Sequence, residues 1–185
     1  MKRIIMSFCM SLALLVTVST LVAKPVIASG PASDIISHAS CQYCGMDREK
    51  FAHSRMLIEF DDGSTVATCS LHCTAVDLAN TIDKTPIAIK VADLDSKELI
   101  DAEKAVWVIG GSKQGVMTRN AKWAFGTKDK AAAFIKENGG RQAGFEEAIK
   151  MAYEDMYNDT RMIRDKRKMM KMKKNGQSKG QGMSH

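Results

Sequence analysis

Four cysteines fall in two close pairs. Cys41 and Cys44 form C-x-x-C, followed at once by Gly45 and Met46; after twenty-four residues Cys69 and Cys73 form C-x-x-x-C around His72. Thiolates and thioethers are soft ligands that select Cu(I), zinc and other thiophilic metals over hard cations. Paired cysteines at such spacing suit a tetrahedral metal site. They equally suit two disulfides in an oxidising compartment, and C-x-x-C also serves thiol oxidoreductases, in which a helix N-terminus depresses the thiol pKa. Gly45 disfavours a helix directly at that pair. Met46, two residues from a thiolate, tilts the set towards Cu(I), because zinc rarely takes a thioether. His72 is either a third ligand or an exposed imidazole at a helix start. His53 and His38 are weaker candidates.

A second sulfur feature stands alone. Met117 lies in GGSKQGVMT, a glycine-rich stretch over 110–118. Glycine lets a backbone approach a partner closely, and a methionine at a loop tip has no core to fill, so it serves as a metal ligand or as a surface contact. Methionine is abundant throughout, 13 residues against 6 Phe and 2 Trp; such an excess serves as flexible packing or as a supply of thioether ligands. No Ser-His-Asp arrangement, phosphate loop or paired acid/base signature is evident, so the chain reads as a binding protein and not an enzyme.

The elements that must position these sulfurs follow from periodicity. Met56–Phe60 and Thr65–Thr68 alternate and are joined by Asp61-Asp62-Gly63-Ser64, a hairpin that brings the two cysteine pairs together. Ser70 stands where an N-cap belongs, and an apolar stripe predicts a helix to about Thr81. Pro86 restarts the chain as a strand, and 92–104 is expected as a polar connection. The plan then repeats. Strands are predicted over 105–109 and 121–125, Thr127 caps a helix ending at Asn138-Gly139-Gly140, and a short strand returns over 141–145. Ser70 and Thr127 align at an offset of 57, as do Val66 with Trp123 and Ala67 with Ala124. The expected fold is therefore α+β, with two similar ββαβ units packed together (41–92 and 105–147) and a C-terminal helical basic extension over 148–174.

The ends have different compositions. Lys2 and Arg3 precede an uncharged apolar run, Ile4 to Ala23, and Val26-Ile27-Ala28 offers small residues for cleavage. Residues 1–28 are thus expected to be a secretory signal, or an N-terminal anchor if uncleaved. Residues 29–40 read as a linker and 175–185 as a disordered, Gly-rich tail. Over 161–185, nine Lys/Arg face Asp165 alone; the chain totals +6, so its basicity resides in its ends and does not by itself point to nucleic acid. The basic, Met-rich extension is either a solvated, partly helical extension or an arm for an anionic membrane surface.

The chain resembles the nitrous-oxide reductase accessory protein NosL family. The matching pieces are Cys44-Gly45-Met46, VWVIGGS over 106–112, GVMT over 115–118 and KWAFGTKDKAAAFIKENGG over 122–140. The resemblance implies a periplasmic or membrane-associated Cu(I) carrier with a fold akin to organomercurial lyase. It implies copper held by Cys44 and Met117, and delivery for assembly of the copper-sulfide centre of nitrous-oxide reductase through that enzyme's ABC-type maturation complex. Cys69 and Cys73 add two thiols that the simplest members lack. CxxCGM…CSLHC also resembles YHS/TRASH-type heavy-metal modules, which implies zinc on Cys41, Cys44, Cys69 and Cys73 as the alternative.

Overall fold

The computed structural model describes residues 32–180, with side chains to Lys174; the expected signal over 1–28 and the end of the expected tail, 181–185, lie outside the described residues. A short helix, α1 (Ser33–Ser37), comes first. The hairpin follows as β1 (Met56–Phe60) and β2 (Thr65–Thr68), closed by a turn in which Gly63 takes φ +78°. Helix α2 (Leu71–Asn80) and strand β3 (Pro86–Ala92) complete the first unit. A three-residue strand, β4 (Leu99–Asp101), leads to the second unit: β5 (Val106–Ile109), β6 (Lys122–Phe125), α3 (Lys128–Asn138) and β7 (Arg141–Ala143). The chain ends in α4 (Phe145–Gly180), a helix of 36 residues.

The two units share one topology. Sheet order is β2-β1-β3-β4 in the first and β6-β5-β7 in the second, so the leading strand of each hairpin is central and the strand after the helix pairs on its far side. All pairings are antiparallel; Met56 faces Thr68 and Val91, and Trp107 faces Ala124 and Ala143. Two ββαβ units in an α+β fold with a long C-terminal helix is the architecture expected. The alternation in MLIEF is real: Met56, Ile58 and Phe60 are buried while Leu57 and Glu59 are half-exposed. The helix caps differ from each other. Thr127 accepts a hydrogen bond from Lys130 N, whereas Ser70 has extended N-cap geometry but makes no side-chain cap.

The core runs between the units. Met56, Leu71, Ala75 and Val91 pack with Trp107 and Ile109 under Ala148 and Ala152 of α4. Backbone also joins them, for Leu94 N donates to Ala124 O, and Asp93 accepts from Gly126 N.

Three local features differ from the sequence expectation. The connection over 92–104 contains β4, an edge strand whose Ile100 pairs with Val91; three residues are too few to show a period. The expected linker over 29–40 contains α1, held by Asp34 rather than by apolar burial alone. The last helix starts earlier and continues past Lys174 to Gly180.

Candidate metal centre

The first cysteine pair sits on a closed backbone knuckle. Cys41 N donates to Met46 O at 2.8 Å and Gly45 N donates to Cys41 O at 2.9 Å. Gly45, at φ +72°, makes the turn that folds Met46 back, a conformation that costs a side-chain-bearing residue energy. Gln42 N then donates to Ala67 O, laying the knuckle across the end of β2. The second pair brackets the start of α2, with Cys69 just before it and Cys73 in its first turn.

The four Sγ atoms all lie within 4.8 Å of one another. Cys44 and Cys69 are 3.4 Å apart, and Cys69 and Cys73 3.8 Å. A tetrahedron with metal–sulfur bonds of about 2.3 Å has sulfur–sulfur edges of about 3.8 Å, so the spacing accommodates one thiophilic ion. No disulfide joins the described cysteines. Cys41, Cys69 and Cys73 are buried, and Cys44 is half-buried and forms the open edge. Neither residue of the C-x-x-C pair begins a helix, so this pair lacks the dipole that activates redox thiols.

Ionisation in the cluster is uneven. Hydrogen bonds from Cys44, then Cys69 and Cys73, hold the Cys41 thiol far below its ordinary value. Cys44 falls to about 7: Cys41 opposes its ionisation, but Cys69 and Cys73 outweigh that. Cys69 and Cys73 are pushed well up, first by Cys41 and then by Cys44 and burial. One thiolate is thus solvated by its neighbours, while further charge in the same volume is resisted. An incoming cation removes that resistance and displaces the remaining protons.

An ionic network beneath the knuckle fixes it. Asp34 on α1 pairs with Arg48 Nη2 at 2.8 Å and with Arg55 Nε at 2.8 Å. Arg48, fully buried, also donates to Thr68 O next to Cys69 and to the carbonyls of Asp34 and His38. Burial pushes the Asp34 carboxyl up, but Arg55 and Arg48 together hold it below its usual value. The network ties the loop of one cysteine pair to the strand that carries the other. Its one sequence signal is that Asp34 is the sole carboxylate before Asp47.

The remaining predicted residues divide. Met46 and Met117 both pack, half-buried, against the cluster that contains the buried cysteines and Trp123. Met117 has φ +62°, a left-handed conformation that is strained for a non-glycine residue. Gly115 sets that turn; a Cβ there would lie 2.8 Å from Thr118 Cγ2 and 2.9 Å from Ala121 Cα. His72 is buried, not exposed, and its imidazole turns towards α4: Nδ1 lies 3.7 Å from Asp159 Oδ2, and neither atom has a hydrogen-bond partner. Its ring lines a small cavity with Thr118 and Asp159, apart from the four-sulfur set. His53 packs against Trp123 with the rings tilted by 39° and their centroids 5.7 Å apart, and His38 Nε2 lies 3.3 Å from Thr65 Oγ1.

The NosL family profile matches residues 31–153, which hold the knuckle, both cysteine pairs and the Met117 loop. The chain belongs to the NosL family. Among solved structures it is similar to the crystal structure of the copper chaperone NosL from Shewanella denitrificans, at 23% identity and a TM-score of 0.51, covering 63% of this chain and 94% of that one. That likeness is one of fold. No curated protein sequence matches significantly. The NosL-matched segment stops within α4, so the stretch of that helix carrying Met162 to Met172 lies beyond it.

Proposed function

We propose that the chain is an exported Cu(I) metallochaperone that supplies copper for the copper-sulfide centre of nitrous-oxide reductase, acting with that enzyme's ABC-type maturation complex. The carrying observation is the sulfur cluster, with four Sγ atoms within 4.8 Å and Cys44 alone half-open, in a NosL-family chain. The similar chain described as a copper chaperone supports the choice of metal. Export rests on the charged, then apolar, N-terminal segment, and places the carrier in the periplasm or against its membrane.

Such a carrier works by ligand exchange. Cu(I) needs few ligands, and Cys41 and Cys44 carry the lowest thiol pKa values of the cluster. An acceptor thiolate or imidazole approaching at Cys44 would bond to copper as a Cys44–copper bond breaks. Copper stays Cu(I), and the departing thiolate keeps its electron pair. Met46 and Met117, packed beside the cluster, supply soft thioethers that hold the ion without adding charge. This is transport chemistry, in which only metal–ligand bonds are exchanged.

A second reading is favoured by the same distances: a closed tetrahedral zinc site on all four cysteines, as in heavy-metal modules. Anaerobic purification of the reduced protein, metal analysis and competition between Cu(I) and zinc distinguish the two. The carrier reading expects one Cu(I) bound tightly enough to displace zinc, and transfer to apo nitrous-oxide reductase. Retention of zinc against excess Cu(I) would favour the structural module.

A further inference from the structure

Beyond the cysteines, α4 continues past the family-matched segment and lies across the mouth of the site. Its face there carries Met162, Ile163, Lys166, Arg167 and Met170, the three- and four-residue spacing of one helical stripe. Opposite stand Met46 from the knuckle and Met117 from the strained loop, with His53 at one side. The groove between them is about 590 Å³. Arg167 Nη2 donates to Cys44 O at 2.8 Å, so the groove opens beside the half-buried cysteine.

Four thioethers from three segments therefore line one cleft. Met170 is 62% exposed and fills no core. Met117 is held in a strained backbone conformation while half-buried against the cysteine cluster. Thioethers are neutral and soft and bind Cu(I) in preference to hard cations. Lys166 and Arg167 in the same cleft repel a cation, which weakens retention. That combination suits a brief stop better than storage.

We propose that Met162 and Met170 on α4, facing Met46 and Met117 across this groove, form a second Cu(I) position through which copper passes between the cysteine cluster and an acceptor. The inference rests on the Cu(I) reading above. In the transfer, the Cys44–copper bond breaks as a methionine sulfur bonds to copper; the thiolate keeps its electron pair, and no electron moves between centres.

The test uses the reduced full mature chain carrying ¹³C-methyl methionine, titrated with Cu(I) supplied as its acetonitrile complex, and separately with Ag(I). The methyl signals are assigned by single Met→Leu variants. The first Cu(I) should shift the Met46 and Met117 methyls and leave those of Met162 and Met170 in place, and a second, weaker equivalent should shift the latter two. The Met162→Leu/Met170→Leu double variant conserves volume on an accessible face. It should keep the first equivalent, bind the second at least tenfold more weakly, and pass copper to a chelator more slowly. A second equivalent unaffected by the double variant would overturn the proposal. Absence of a first equivalent would instead defeat the Cu(I) reading; the groove is then judged by Ag(I), with shifts of the Met162 and Met170 methyls upholding a soft-metal position and unmoved signals refuting it.

Discussion

Arg167 reaches across 123 residues of sequence to donate a 2.8 Å hydrogen bond to the carbonyl oxygen of Cys44. Cys44 is the half-buried member of the sulfur cluster, so the far half of α4 lies where copper would leave. The contact is solvent-exposed, and a hydrogen bond there contributes about 1 kcal/mol. Arg167→Ala should therefore raise the rate of Cys44 alkylation in the metal-free protein severalfold while the melting temperature hardly moves. Unchanged alkylation would mean that α4 does not cover the site in solution.

Met117 offers a separation of strain from ligation. Its left-handed φ of +62° is one glycine adopts freely. Met117→Gly should unfold no more readily than the parent, since relieving about 1 kcal/mol of strain offsets the lost packing. Met117→Leu retains the strain and the volume. Both should lower Cu(I) affinity in chelator competition, because both remove the sulfur. A Leu variant with undiminished affinity would assign Met117 to packing alone.

Much of this architecture is legible in the residues themselves. The alternation in MLIEF, the Asp62-Gly63 turn and the offset between Ser70 and Thr127 report backbone period and local turn chemistry, and these are local properties. The pairing of the cysteines follows from the hairpin. What no local pattern carries is non-local. No sequence pattern marks Arg48 and Arg55 as interior, yet both are buried on Asp34, a partner that no period reveals. His72 lies between the cysteines in sequence, but its helical position turns it to Asp159 on an element nearly ninety residues later. The groove is hidden for the same reason: Met46, Met117 and Met162 share no sequence pattern and meet only because α4 crosses the mouth.

Asp34 anchors two buried guanidiniums, so its charge is structural. Removing one partner of a buried ion pair costs about 3–5 kcal/mol, and Asp34→Asn should lower the denaturant midpoint accordingly. The carboxyl is held below its ordinary value when folded. Its stabilisation is therefore fully present above the unfolded pKa, about 3.9, and is lost as pH falls from there through the lower folded value. The parent should lose stability on acidification through that window, and the Asn variant should show a flatter profile. Equal slopes in the two proteins would place the acid sensitivity elsewhere.

The two candidate metals make different demands on Cys69 and Cys73. Both thiols resist ionisation, chiefly because Cys41 and Cys44 are so close. Zinc on four thiolates must strip both protons, so its affinity should climb steeply with pH. Cu(I) on Cys41 and Cys44 needs neither proton, and its pH dependence should be shallower. The Cys69→Ser/Cys73→Ser variant should accordingly lose zinc and keep substantial Cu(I) binding, whereas Cys44→Ser should lose most of its Cu(I) affinity. Equal loss of Cu(I) in the two variants would favour a closed four-cysteine site.

The last turns of α4 also carry exposed charge. Lys168, Lys171, Lys173 and Lys174 are exposed, as are Met169 and Met172, and the acids that brace the helix, Asp155 and Asp159, lie in its earlier turns. Each basic side chain near an anionic leaflet contributes about 1 kcal/mol, screened beyond roughly 10 Å in 0.1 M salt. Four such residues beside apolar thioether chains would hold an exported carrier near a membrane while the groove-lining turns stay on the protein. The full mature chain should bind anionic vesicles at low ionic strength and release as salt rises. Replacing those four lysines by Gln should weaken the binding at least tenfold and leave the tight Cu(I) equivalent unchanged, because none of them lines the groove. Vesicle binding undiminished in the Gln variant, or absent from the parent at low salt, would refute a membrane role for these lysines.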